Sequence, residues 1–117
     1  MFITNKPNQI VAGSPSTLEI DTAQLLSELN VSDSHWTFNN ISQIILEYKD
    51  GTGVERHAVQ FPAQQTSAAL LVSSSALLNT WQLTQVLLLD YDNGTYVVPR
   101  SEFPVSTAYD IPVISAS

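Results

Sequence analysis

The chain of 117 residues contains no cysteine and few charged side chains. Without cysteine it has no disulfide framework, no thiol chemistry and no cysteine-ligated metal. Only 13% of its residues are charged, against about 25% in an average domain. The basic residues are Lys6, Lys49, Arg56 and Arg100, which are scattered through a chain of net charge −7. Because phosphates require clustered Lys and Arg, nucleic acid is excluded as a partner.

The sequence predicts neither a signal peptide nor a membrane span. The first residues lack the basic start and the apolar stretch of about 7–15 residues that mark a signal peptide. The aliphatic run at residues 86–89 is far shorter than the roughly 20 apolar residues that cross a bilayer. We therefore expect no membrane span and, if Met1 is the native start, synthesis in the cytoplasm.

Motifs that carry catalysis are absent from the sequence. It has no G-x-G-x-x-G, P-loop, H-E-x-x-H or G-x-S-x-G pattern. The two histidines, His35 and His57, fall in different segments. Glu47 and Asp90 hold equivalent places in two similar stretches, and a glycosidase would need such acids on facing elements. The simpler interpretation places both at strand ends facing solvent, so we predict no catalytic residue, no cofactor and no enzyme.

Asp90 and Asp92 are candidate calcium ligands. The spacing Asp90-x-Asp92-x-Gly94 begins like an EF-hand loop. It departs from that loop at Gly94 and at Ser101, the twelfth position, where a bidentate Glu is required. A tight β-turn explains the same residues without metal, so our prediction for metal is none.

Two stretches of the chain repeat one pattern. Residues 44–51 and 87–94 each give an aliphatic run, an acid, a tyrosine, two polar residues and a glycine. A tryptophan precedes each stretch (Trp36 and Trp81), and a Phe-Pro pair follows each. Asp-Gly and Asn-Gly between apolar runs favour tight hairpins. We predict two similar hairpins, 41–61 and 87–98, with both tryptophans in the core.

The remaining segments predict further strands and two arms. Residues 17–21 alternate polar and apolar, as in a half-buried strand, and residues 68–73 form a short apolar strand. Residues 22–29 read either as a short helix, with Asp21 or Thr22 as its cap and Gln24 in the capping-box position, or as a continued strand. About seven strands indicate an all-β, antiparallel β-sandwich over 17–104. Proline-punctuated extended arms flank it at 1–16 and 105–117.

The second repeat resembles a known group of modules. Thr80-Trp81-Gln82-Leu83, followed by the stretch at 87–94, is similar to the immunoglobulin-like modules of bacterial surface and phage virion proteins. The resemblance covers about half the chain. The chain lacks the paired cysteines of antibody domains. The resemblance implies an Ig-like β-sandwich and no binding residues.

The aliphatic runs are apolar on both faces of their strands. If the strand is unbroken, Trp81, Leu83, Leu87 and Leu89 share the core side, and Val86 and Leu88 point outward with Ile45. Either the arms or the helix at 22–29 cover them, or a partner subunit does. The interface candidates are Ile45, Val86 and Leu88 with four arm residues, Phe2, Ile3, Ile111 and Val113.

These features favour a non-enzymatic structural protein that acts through protein–protein contacts. We expect a bacteriophage virion component (tail, neck, spike or capsid decoration) that binds copies of itself or other virion proteins. The alternative is an adhesion module on the extracellular surface that binds a glycan or another ligand. Its stacking platforms would come from Trp36, Trp81, Tyr48, Tyr91 and Tyr96. A small hydrolase is the third hypothesis.

Overall fold

The computed structural model describes residues 2–6, 9–50, 56–62, 65–71, 78–104 and 106–115. In chain order the elements are β1 (Ile3–Asn5), β2 (Ile10–Val11), β3 (Pro15–Ile20), α1 (Thr22–Glu28), a 3-10 turn (Phe38–Asn40), β4 (Ile41–Lys49), β5 (Arg56–Pro62), β6 (Ser67–Leu71), β7 (Gln82–Asp90), β8 (Thr95–Pro99), two more 3-10 turns (Arg100–Glu102 and Ser106–Tyr109) and β9 (Val113–Ile114).

Three sheets enclose the core. The largest is four-stranded and antiparallel, in the order β5-β4-β7-β8. An antiparallel sheet of order β1-β3-β6 and a short parallel pair, β2-β9, complete the fold. The predicted all-β, largely antiparallel sandwich is confirmed. The finer resemblance to immunoglobulin-like modules stays a prediction.

The short helix is present, and it begins where the sequence places its cap. The Asp21 carboxylate accepts a hydrogen bond from the Gln24 backbone N–H at 3.0 Å, which satisfies one of the unpaired donors of the first turn. The Asp21 N–H itself donates to the Phe2 carbonyl oxygen at 2.8 Å. The cap therefore also fixes the N-terminal strand, while α1 buries Leu25 against the core.

Both predicted hairpin ladders are present. β4 pairs with β5 and β7 pairs with β8. The turn predicted at Asp50-Gly51 lies outside the described residues from position 51, as do parts of the strands predicted at 54–61 and 68–73. At the second turn Asn93 takes a left-handed φ of 66°, which asparagine tolerates better than most residues. Pro99 ends β8, which is an edge strand as its proline predicts.

A bulge in β7 sets which side chains reach the core. Glu47 of β4 lies opposite Gln85, but Tyr48 lies opposite Leu83, so Thr84 is an extra residue in β7. One inserted residue inverts the alternation of all that follow. Leu83, Val86 and Leu88 are therefore fully buried, and Leu87 and Leu89 are half-buried on the opposite face. The expectation that Val86 and Leu88 point outward and Leu87 and Leu89 inward is wrong, because it assumed an unbroken strand.

Two side chains satisfy the backbone of β7 at this bulge. The Leu83 N–H donates to Asp110 Oδ1 at 3.1 Å, and the Leu83 carbonyl accepts from Arg100 Nη1 at 2.8 Å. Arg100 also donates two hydrogen bonds to the Asp110 carboxylate, at 2.9 and 3.0 Å. We call this pair the Arg100–Asp110 clamp. It supplies partners to the Leu83 backbone beyond the end of β8, which stops opposite Gln85, since buried backbone groups need partners.

Both ends of the chain fold back onto the core. The Phe2 ring stacks on Tyr109 at 5.1 Å between ring centroids, and the Phe2 N–H donates to Glu28 Oε2 at 2.7 Å. Burial, together with the neighbouring Glu28 carboxylate, raises the pKa of Tyr109 to about 12. The Ile10 N–H donates to the Pro112 carbonyl at 2.7 Å, which joins one end to the other. The proposed division into arms and a central domain stays a prediction.

The core is one cluster of apolar side chains that includes both tryptophans. Trp36 is 7% exposed and Trp81 3%, so their predicted core positions are confirmed. Backbone hydrogen bonds in both directions join Trp81 to Ile111 in the C-terminal segment. Within the described part of the chain, no helix combines the length and apolarity that crossing a membrane requires.

Candidate interaction surface

The four-stranded sheet presents an apolar row on the side that faces away from the core. We call this side the outer face. Ile45, Leu87 and Val97 lie next to one another on β4, β7 and β8, and the polar Gln60 of β5 lies beyond Ile45. Ile45 and Leu87 are half-buried, and Val97 is 48% exposed. Aliphatic side chains standing side by side in solvent are typical of contact surfaces.

Amide side chains flank this row. Leu89 stands between Gln43 and Thr95 on one side of it, and Glu47 lies beside Gln85 on the other. Gln85 Nε2 donates to the Glu47 carboxylate at 3.0 Å. The centre of the outer face is therefore apolar with a mainly uncharged polar border, which resembles the core and rim of a protein–protein interface.

The row ends at an open sheet edge. The Asp90 N–H donates to the Gly94 carbonyl at 3.0 Å, which makes these two a hydrogen-bonded pair of the β7–β8 ladder. Hydrogen-bonded and non-hydrogen-bonded pairs alternate in antiparallel sheets. The N–H and C=O of Thr95 and Val97 therefore point away from β7. Pro99 lies at the next outward position, where its missing N–H costs no ladder bond.

A groove runs beside this edge. Its volume is about 280 Å³, and its lining comprises Leu29, Asn30, Tyr96, Val97, Val98, Pro99 and Glu102. The turn that ends α1 forms the far wall. There Asn30 has a left-handed φ of 57°, and the Val31 N–H donates to the Leu26 carbonyl at 2.9 Å. The turn that ends α1 thus lies across this groove from the edge of β8.

Six of the seven predicted interface residues are buried in the chain itself. They are Phe2, Ile3, Val86, Leu88, Ile111 and Val113. Other parts of the same chain cover them, which agrees with the first of the two explanations given for the two-sided apolar strands, that the arms or the helix cover these side chains. Only Ile45 lies on the outer face, and for it an interface role stays a prediction. The sequence analysis did not include Leu87, Leu89 and Val97 among the interface candidates. The bulge turns Leu87 and Leu89 to the outer face, and Val97 lies on the edge strand β8.

Asp90 organises the second hairpin turn. Its Oδ1 accepts from the N–H groups of Asp92 and Gly94, and its Oδ2 pairs with His35 Nε2 at 2.8 Å. These bonds, that of His35 first, hold the pKa of the Asp90 carboxyl below its usual range. Both oxygens of the calcium candidate Asp90 thus have partners within the protein. Among the described residues, Asp90 and Asp92 are not joined by a third ligand into a metal-binding group.

The residues considered for catalysis lie apart. Glu47 is opposite Gln85, five residues (90 − 85) along β7 from Asp90, a separation of roughly 16 Å. Glycosidase carboxyl groups are about 5–9.5 Å apart. His35 lies at the Asp90 end of the sheet, whereas His57 is at the other end, stacked on Trp81 at 4.0 Å. The pairs named from the sequence therefore do not form a common site.

The aromatic side chains proposed as ligand platforms are mostly in the core. Trp36, Trp81 and Tyr48 are buried, and burial together with the charge of Asp110 raises the pKa of the Tyr48 hydroxyl. Tyr96 is half-buried and packs edge-on against Trp36 at 5.8 Å. Tyr91, at 59% exposure, is the one of the five proposed platforms that stands open. The glycan-binding alternative thus loses both tryptophans.

Comparisons with known proteins place the fold but no family. No protein-family profile matches the chain, and no curated protein is similar to it in sequence. Among solved structures, the chain is similar to Cwp6 from Clostridium difficile, with a TM-score of 0.62 and 13% sequence identity. The match covers 92% of this chain and 16% of that one, so this fold corresponds to a small part of a much longer protein. At this identity the likeness establishes the fold alone.

Proposed function

We propose that this chain is a non-catalytic structural module that acts through protein–protein contacts at a bacterial cell surface. The observation that carries the proposal is the apolar row of the outer face, which ends at a strand edge that no strand of the described residues pairs with. Ile45, Leu87 and Val97 are aligned in register on a rigid sheet. A sheet held by ladder bonds presents such a row at little entropic cost, which favours recognition of another protein.

The structural neighbour supports the cellular setting. Cwp6 is a bacterial cell wall protein, and the matched fold occupies 16% of its chain. A compact β-sandwich that occurs as one part of a longer surface protein is suited to spacing and contact. The sparse charge of this chain and its outer face fit the same role.

A role without catalysis is supported by the separation of the candidate groups. His35 binds Asp90 at the hairpin turn, and His57 stacks on a core indole. Each of these groups has a local structural partner. A contact function uses the sheet surface and requires none of them.

The virion setting expected from the sequence is the second candidate. A tail, neck, spike or capsid-decoration protein would use the same outer face toward its neighbours. The absence of cysteine and the low charge fit it equally well. The structural neighbour favours the cell surface between the two.

The location is tested by protease treatment of intact cells in the natural bacterial host, with an epitope-tagged chain. We expect the tag to be removed from intact cells while a cytoplasmic marker survives. A tag that sediments with phage particles would select the virion. A tag that stays protected in the cytosol would overturn the proposal.

The contact surface is tested in the same cells by the paired variants Leu87→Gln and Val97→Gln. We expect both to fold and to be lost from the envelope fraction, because they remove apolar area from the outer face. Leu78→Gln is the matched control, since Leu78 is 59% exposed but lies outside the sheet. Equal retention of all three variants would contradict a role for the outer face.

A further inference from the structure

The open edge of the four-stranded sheet is suited to one particular partner. We propose that β8 pairs antiparallel with β8 of a second copy across a two-fold axis, which joins the two four-stranded sheets into one of eight strands. The inference rests on the proposed contact function and names its partner. It begins with the outward N–H and C=O groups of Thr95 and Val97, fixed by the Asp90–Gly94 pair.

The edge carries little of the protection that edge strands usually have. Native edges are blunted by charges, bulges or proline. β8 reads Thr-Tyr-Val-Val-Pro, with no charged residue, and it pairs with β7 without a register shift. Its proline is the last residue and leaves two outward positions intact. In the described part of the chain, by contrast, the edge strand β1 is three residues long with a register shift, and the edge strands β5 and β6 adjoin each other.

A second copy satisfies this edge better than a charged partner segment would. Although the chain carries a net charge of −7, β8 itself has none. Within β8, two copies meeting at this strand therefore place no like charges directly opposite each other. An isologous contact of this kind needs only one self-complementary surface.

The position of Pro99 selects the register. If the axis passes through Tyr96, Thr95 faces Val97 of the second copy and Val97 faces its Thr95. Both are hydrogen-bonded pairs, and all four backbone bonds form. If the axis passes through Val97, four backbone bonds can also form, but Thr95 faces Pro99 of the second copy, and the Thr95 carbonyl stays unpaired because proline has no N–H to donate. The register centred on Tyr96 is therefore favoured.

The side chains around this axis are compatible with pairing. Tyr96 would meet Tyr96 of the second copy at a close, non-hydrogen-bonded position, beside the groove of about 280 Å³. On the outer face, Val97 would lie beside Thr95 of the second copy, and Leu89 of that copy follows on its β7, so the rows of the two copies join across the axis. Because a strand pair buries less than a standard interface, we expect a weak dimer that forms at about 0.1–1 mM.

The test is sedimentation equilibrium of the full chain over this concentration range, with two variants at one position. Val97→Pro removes an outward N–H without touching the β7 ladder, and we expect at least a tenfold weaker dimer. Val97→Thr keeps the N–H and the side-chain shape, and we expect it to dimerise. Thr95→Lys, which adds a charge to the edge, is the second disrupting variant should Val97→Pro fail to fold.

The register is tested by single cysteines, because the chain has none of its own. Tyr96→Cys should form the intermolecular disulfide faster than Val97→Cys, since Cα atoms at the axis of a non-hydrogen-bonded pair are about 4.5 Å apart. Faster cross-linking of Val97→Cys would overturn the register. A wild-type chain that stays monomeric at about 1 mM, or a dimer unaffected by both Val97→Pro and Thr95→Lys, would overturn the pairing. Neither result affects the test of cell-surface location, so failure of the dimer and failure of the proposed function can be told apart.

Discussion

We predict from the Arg100–Asp110 clamp that the Asp110 carboxylate stabilises β7 at its bulge. Asp110 accepts three hydrogen bonds, two from Arg100 and one from the Leu83 N–H. Replacing it by alanine leaves a backbone donor and a guanidinium without this partner at the bulge. The perturbation is therefore Asp110→Ala, with Asp110→Asn as the variant that keeps size and loses charge.

The magnitude follows from the exposure of the pair. A hydrogen bond to a charged group contributes about 1.5–3 kcal/mol when buried, whereas an exposed ion pair contributes about 0–1 kcal/mol. The Arg100 and Asp110 side chains are 27% and 12% exposed, between these limits. We expect Asp110→Ala to lower the free energy of unfolding by about 2–3 kcal/mol. Asp110→Asn should cost less, because its amide oxygen still accepts from Leu83.

Urea unfolding followed by tryptophan fluorescence measures this loss. Trp81 reports on it directly, because its backbone pairs with Ile111, the residue after Asp110. Glu102→Ala is the control, an exposed acid in the same segment that should change stability by less than about 0.5 kcal/mol. The reasoning fails if Asp110→Ala costs no more than this control. It also fails if Asp110→Ala and Arg100→Ala are additive, because contacting residues should couple.

Two other measurements test which side chains of β7 face the core and how Asp90 stabilises the second hairpin. Leu88→Ala should lower the free energy of unfolding by about 2–5 kcal/mol and Leu87→Ala by clearly less, because Leu88 is fully buried and Leu87 is half-buried. Equal losses in urea unfolding would show that the bulge does not turn Leu88 toward the core and Leu87 away from it. The lowered pKa of Asp90 means that its carboxylate stabilises the fold above the unfolded value of about 3.9, and that this contribution is lost as pH falls through the lower folded value. The melting temperature of Asp90→Asn should therefore approach that of the wild type as pH falls below about 4, and a constant difference would contradict the role of the carboxylate.

Sequence patterns predicted the parts of the fold that depend on neighbouring residues. The Asp21 cap with Gln24 follows from residue types three positions apart, and the structure contains it. The Asn93 turn and the edge position of Pro99 also follow from local backbone preferences. The tryptophans were correctly assigned to the core, because large aromatic side chains gain most from burial.

The missed features depend on residues distant in sequence. Next to the bulge at Thr84, the Leu83 backbone is bound by Asp110 and Arg100, which are 27 and 17 residues away. Nothing in the sequence at 82–90 indicates an extra residue, so strict alternation assigned the side chains of residues 86–89 to the wrong faces of the strand. The parallel pairing of Ile10 with Val113 joins segments at the two ends of the chain. For the same reason the outer face was assigned to Val86 and Leu88 instead of Leu87 and Leu89.

The extra residue in β7 links the fold to the proposed interaction surface. With Thr84 in place, Leu83 and Leu88 both face the core, and Leu87 faces outward beside Ile45 and Val97. Deleting Thr84 would force either the first or the second half of β7 to turn its apolar side chains to solvent. We expect this deletion to cost more than about 4 kcal/mol or to prevent folding, as seen by circular dichroism and urea unfolding. Thr84→Ala should cost only about 1 kcal/mol, because it removes the one hydrogen bond from Thr84 Oγ1 to the Glu47 carbonyl. A deletion variant as stable as Thr84→Ala would show that the bulge does not set the two faces of the sheet, and the outer face would then lose its physical basis.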